Sequence, residues 1–166
     1  MELNERRYAE IRAFFEKHHT AMAALNLVYK VFPLITASGY GALLLYLLCR
    51  RDGGALIKSV FIPAFALAAA TVIRKALNFQ RPYEKLDIKP LIPKNRKGCS
   101  FPSRHCVSSF VISVVLLYTN VPAGVASLAV SLLTAASRCL AGVHFLRDVA
   151  AGSALGILFG LVIFFI

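Results

Sequence analysis

The chain has 166 residues, 58% of them hydrophobic, and 19 Lys and Arg against 8 Asp and Glu give a net charge of +11; mean hydropathy is +0.67. That balance excludes an ordinary soluble domain, and apolar runs near membrane-spanning length recur along the chain. Nine of the basic residues fall between Arg74 and His105 against only Glu84 and Asp87, and a basic loop between membrane helices faces phosphate or anionic lipid headgroups rather than nucleic acid.

Residues 2–19 place Leu3, Tyr8, Ile11, Phe14 and Phe15 on one helical side and Arg6, Arg7, Glu10, Arg12, Glu16 and Lys17 on the rest. This predicts an amphipathic helix lying in the membrane interface. Its charge and its lack of an early apolar core exclude a cleavable signal peptide. A first span is predicted over 31–49, ended by Arg50-Arg51-Asp52-Gly53-Gly54. A second covers 55–73, with Lys58 able to snorkel, Pro63 as a kink, and Arg74 and Lys75 closing it. Residues 82–102 carry Pro82, Pro90, Pro93, Pro102 and Gly98 and read as a long extended loop. Three further spans are predicted at 104–119, 121–137 and 145–166.

The expected fold is an all-α integral membrane protein. It is a compact bundle of about five transmembrane helices plus an N-terminal interfacial helix, in a single domain over 1–166. Counting spans puts Arg74, Ser103, Arg138 and His144 at one membrane face and Arg50, Arg51, the 119–122 turn and the C-terminus at the other. The positive-inside rule leaves orientation open, since the 74–105 loop and Arg50, Arg51 and Lys58 pull oppositely. Cys49, Cys99, Cys106 and Cys139 lack zinc-ligand spacing and read as small apolar residues. A Cys99–Cys106 or Cys106–Cys139 bridge is compatible only with an extracytoplasmic face.

Ionisable groups at such depths are functional by default. Arg74 and Arg81 are seven residues apart and share one side if the helix continues between them, with Pro82 then ending it. Pro102-Ser103 reads as a helix start, with Ser103 as N-cap or first-turn residue and the free amides and hydroxyl there forming an anion site beside His105. His144 and Asp148 are at i and i+4, on one face of the last helix. A carboxylate there holds the imidazole Nδ1–H and leaves Nε2 as a nucleophile. The competing reading has Asp148 neutralising Arg147 or Arg138. Arg138 itself is placed to clamp a phosphate.

These fragments, Arg74-x₆-Arg81-Pro82, Pro102-Ser103-Arg104-His105 and Ser137-Arg138-x₅-His144-x₃-Asp148, resemble the three signature motifs of the type-2 phosphatidic acid phosphatase family, whose superfamily includes vanadium haloperoxidases. The family patterns are K-x₆-R-P, P-S-G-H and S-R-x₅-H-x₃-D, so Arg74 replaces Lys and Arg104 replaces Gly. The resemblance implies a lipid phosphatase with His144 attacking phosphorus, Asp148 orienting it and His105 protonating the leaving group. Arg74, Arg81, Ser103 and Arg138 would cradle the phosphate. Arg104, a departure from the family pattern, either meets extra negative charge such as a second phosphate or points its side chain to the headgroup layer. It implies no metal or other cofactor, a lipid substrate drawn from the bilayer, and a prokaryotic plasma membrane with the site on the extracytoplasmic face. A polyprenyl diphosphate is the favoured substrate, with phosphatidic acid and phosphatidylglycerol phosphate as alternatives. A non-catalytic phospholipid-binding protein or small transporter is the rival from another class.

Overall fold

The protein is seen in a computed structural model that describes residues 4–166; Leu3, expected on the first amphipathic helix, lies outside them. Helix α1 (Glu5–Lys17) starts where the Asn4 side chain accepts the Arg7 N–H at 2.9 Å. Helix α2 runs His19–Cys49, so the span expected at 31–49 begins twelve residues earlier. Its first part is a good helix former, and the polar residues that lower its hydropathy do not break a helix. At 31 residues it is roughly 46 Å long against a hydrocarbon core of about 30 Å, so one end stands clear of the lipid tails.

Asp52 opens α3 (Gly53–Leu77) by accepting the Ala55 N–H at 3.0 Å. The loop expected to be extended throughout contains one turn of helix, α4 (Pro82–Lys85), started by Pro82 at the position where a missing N–H costs nothing. Helices α5 (Arg104–Thr119), α6 (Val121–Leu140) and α7 (Leu146–Leu161) follow, the last running into a 3₁₀ turn at Val162–Phe164. The described residues form an all-helical membrane bundle of α2, α3, α5, α6 and α7.

Helix α5 is the axis. It packs against α7, α6, α3 and α2, and most of its residues from Cys106 to Leu116 are buried. At its contact with α7 there is no room for side chains. A Cβ on Gly152, Gly156 or Gly160 would come within 2.6 Å of Ser103 O, Val107 O and Val114 Cβ respectively, so the two backbones meet almost directly, as small-residue membrane interfaces do. Toward α6 the hydroxyl of Ser113 lies 2.7 Å from that of Ser127 and 2.9 Å from that of Ser131, polar glue between otherwise apolar helices. Large apolar residues such as Leu34, Leu45, Phe65, Val72, Leu132 and Leu158 point outward, the pattern expected where lipid is the solvent.

Helix α1 is tied to the loops at one end of the bundle. Tyr8 is 1% exposed; its hydroxyl accepts the Leu91 N–H at 2.8 Å and donates to the Ala141 carbonyl at 3.2 Å. Glu5 accepts the Asp87 N–H at 3.2 Å. Gly142, at φ 72°, lets the chain pass under Tyr8, since a Cβ there would sit 2.6 Å from the ring. At the other end Lys58 donates to the Ile166 carbonyl and lies 5.9 Å from the Tyr118 ring centroid, which puts the C-terminus opposite α1. All four cysteines are free.

Candidate active site

Three arginines converge, each from a different element and each already committed to backbone carbonyls. Arg74, in the last turn of α3, donates through one terminal nitrogen to Ser100 O at 3.2 Å and Pro102 O at 2.5 Å. Arg81 donates to Gly98 O at 3.2 Å and Val143 O at 3.3 Å. Arg138, in the last turn of α6, donates to Tyr29 O at 3.1 Å and lies 3.9 Å from the Tyr29 ring centroid. Their exposures are 7%, 3% and 2%, so the guanidinium groups are held in place before any substrate arrives.

Arg74 and Arg81 meet by a different route from the one predicted. The helix does not continue between them. Asn78 adopts a left-handed conformation (φ 41°) and caps α3, and Arg81 stands in extended chain ahead of Pro82. Glu84 holds this return, accepting the Arg81 N–H at 2.9 Å and the Gly98 N–H at 2.8 and 3.0 Å. Asn78 accepts the Cys99 N–H at 3.1 Å. Gly98, at φ 62°, has no space for a side chain because a Cβ would fall 2.4 Å from the Asn78 carboxamide oxygen.

Arg104 and His105 open α5 and are exposed at the rim. Ser103 is the N-cap of α5, one of the two positions expected, and it does not line the cavity. It is fully buried, its N–H is spent on Asp148 O at 2.8 Å, and its hydroxyl makes no hydrogen bond. The close approach of α7 at Gly152 turns this residue inward, away from the cavity.

His144 and Asp148 are together, again with altered geometry. Helix α7 begins after Phe145, so His144 precedes it and the i+4 relation spans the helix start rather than a helical face. His144 Nδ1 lies 3.5 Å from Asp148 Oδ2. The same oxygen accepts the Ser100 hydroxyl at 2.5 Å and the Phe145 N–H at 3.1 Å, while Ser100 Oγ is 3.3 Å from Nδ1. Ser100 therefore stands between carboxylate and imidazole. Arg147 Nε approaches the other Asp148 oxygen at 3.7 Å, so both readings of Asp148 hold in part. Burial pushes the His144 imidazole below the ordinary histidine range; Asp148 opposes this, and the positive charge of Arg81 and Arg74 adds to it.

His105, His144, Arg74, Arg81, Arg104 and Arg138 line one cavity of about 40 Å³, room for a few waters or one small oxyanion. Lys94, Arg96 and Tyr29 line it too, and with Ser100 they were not singled out from the sequence. The two loop cations were visible only as part of a charge run, and neither Ser100 nor Tyr29 carries a spacing signal. A second cleft of about 400 Å³ adjoins the first, sharing Arg104 and His105 and bordered by Leu67, Thr71 and Ser108 of α3 and α5. A neutral imidazole backed by a carboxylate, a second imidazole and forked cations can together perform nucleophilic displacement at a tetrahedral oxyanion.

A family model described as the PAP2 superfamily matches residues 55–166. Among solved structures, Aquifex aeolicus LpxE superposes with a TM-score of 0.66 at 21% identity, covering 87% of this chain and 94% of that one. A PAP2 type phosphatidylglycerolphosphate phosphatase from Bacillus subtilis superposes at 0.50 with 20% identity, covering 94% and 90%. No curated protein sequence matches the chain.

Proposed function

The chain belongs to the PAP2 superfamily, a family of membrane lipid phosphatases, and within it we propose that this enzyme hydrolyses a lipid phosphate or diphosphate through a phosphohistidine. The observation that carries the reading is that His144, with buried Asp148 behind it, and His105 line the same small cavity as three buried arginines. Binding alone needs cations; it does not need an imidazole with a carboxylate behind it.

The non-bridging oxygens of the substrate lie among Arg74, Arg81 and Arg138, which gain most as charge develops in the transition state. Nε2 of His144 attacks phosphorus, the bond to the leaving oxygen breaks, and protonated His105 gives that oxygen its proton. His105, now neutral, takes a proton from water, whose oxygen attacks the phosphohistidine and releases inorganic phosphate and free His144. His144 lies deep and His105 at the open rim, which suits attack from one side and departure from the other.

The tail would lie in the cleft between α3 and α5, where Leu67 provides an apolar wall beside His105. Lys94, Arg96 and Arg104 add positive charge beyond what one phosphate needs, and this favours a diphosphate, with a polyprenyl chain as the preferred tail. The site faces the extracytoplasmic side of a prokaryotic plasma membrane.

One assay tests the reading: phosphate release in detergent with EDTA from a panel of polyprenyl diphosphate, phosphatidic acid and phosphatidylglycerol phosphate. Wild type should release phosphate, and His144→Ala should lose at least 10³-fold in rate, on the order of what removing a nucleophile costs. Equal release by both would remove His144 from its role. Arg104→Gly should lower the ratio of diphosphate to monophosphate turnover about ten-fold, on the order of one charge-assisted hydrogen bond. An unchanged ratio would exclude Arg104 as the reader of the second phosphate.

A further inference from the structure

Tyr29 lies in α2, outside the segment that the family model matches, yet it lines the phosphate cavity. Its residue is 8% exposed, and its hydroxyl is buried without a hydrogen-bond partner. The guanidinium stacked on its ring, that of Arg138, has the same deficit: its Nε is buried and unpartnered. The Tyr29 hydroxyl oxygen can accept from the Arg138 guanidinium, but its own O–H and Arg138 Nε still lack an acceptor, in a cavity lined by cations. Leaving such groups unpaired is costly, and each calls for a reason; here the two face a cavity shaped for an oxyanion.

We propose that Tyr29 is a substrate-contacting residue: its hydroxyl donates a hydrogen bond to a non-bridging oxygen of the bound headgroup, while its ring and carbonyl fix Arg138 so that Nε donates to the same group. This rests on the phosphatase reading only for the identity of the headgroup; the missing acceptor stands without it. Tyr29 makes α2 part of the binding site rather than a membrane anchor alone. The excess length of α2 serves this, because Tyr29 sits in the part preceding the predicted span and so reaches the level of the headgroup.

The test is calorimetric binding of inorganic phosphate to the full-length protein in detergent, which needs no turnover. Tyr29→Phe keeps the ring over Arg138 and removes only the hydroxyl, so phosphate should bind about ten-fold more weakly. Without phosphate its melting temperature should equal or exceed that of wild type, because an unpaired polar atom is gone. Tyr29→Leu, which also removes the stack, should weaken phosphate more than Tyr29→Phe. Wild-type affinity in Tyr29→Phe would overturn the proposal, and so would a lowered melting temperature without phosphate, which would mean a structural role. Hydrolysis with equal phosphate affinity in the two proteins would sink this inference alone. Tyr29-dependent phosphate binding without hydrolysis would sink the phosphatase reading and leave this one standing.

Discussion

Asp148 Oδ2 gathers the Ser100 hydroxyl, the Phe145 N–H and His144 Nδ1 at 2.5, 3.1 and 3.5 Å. The order of those distances matters, because the serine fixes the carboxylate and the carboxylate in turn orients the imidazole. Ser100→Ala should therefore lower kcat about ten-fold, on the order of one hydrogen bond to a charged group, with KM and phosphate inhibition unchanged. An unchanged kcat would show that the Phe145 N–H alone positions Asp148. The depressed His144 pKa sets the acid limb. The attacking imidazole must be neutral, and burial keeps it so below the usual value of 6.5, so kcat/KM, which reports the free enzyme, should hold as pH falls through 6.5 and decline only below it. A decline centred above 6.5 would contradict that environment. At this scale the sequence was most informative about pairs with a spacing, such as His144 with Asp148. It was silent about Ser100, whose role comes from a loop that returns from more than forty residues away.

Helices were legible where apolar runs are long, and their ends were not. The boundary of α3 was misread because Asn78 caps it in a left-handed turn, whereas the prediction gave the stopping role to Pro82, which starts α4 instead. The start of α2 at His19 lies ahead of the 31–49 run because hydropathy marks lipid contact and not helix. The Gly152, Gly156, Gly160 repeat on α7 marks a close-packing face that hydropathy alone does not distinguish from the rest of an apolar span. It has a measurable consequence. In Gly156→Val the Cβ alone would fall 2.6 Å from Val107 O, a backbone atom on the central helix that has nowhere to go. Overpacking of this kind costs about 1–3 kcal/mol, so thermal unfolding in detergent should shift several degrees downward. An unchanged melting temperature would mean that α5 and α7 separate easily and that α5 is not the rigid axis of the site.

The whole molecule places its chemistry by helix length. Helix α5 has 16 residues, roughly 24 Å against a hydrocarbon core of about 30 Å, and it is shielded by α7 of equal length and by the longer α2, α3 and α6. Its N-terminus carries Arg104 and His105 to the cavity that Tyr29 of α2 and Arg74 of α3 also line, so helices of different length bring their ends to one site. The same geometry bears on orientation. Of the nine basic residues between Arg74 and His105, five (Arg74, Arg81, Lys94, Arg96 and Arg104) line the cavity. The other four, Lys75, Lys85, Lys89 and Lys97, stand against Glu84 and Asp87. Counted as Lys and Arg, these four stand with Arg6, Arg7, Arg12 and Lys17 of α1, which is tied to the same end. Together they outnumber Arg50, Arg51 and Lys58 at the opposite face, so the proposed outward-facing site runs against the positive-inside rule and labelling decides it. In a variant with the native cysteines changed to alanine, a membrane-impermeant maleimide applied to intact bacterial cells should label Lys97→Cys and spare Arg51→Cys until the cells are opened. The reverse pattern would place the cavity in the cytoplasm and limit the enzyme to lipid phosphates of the inner leaflet.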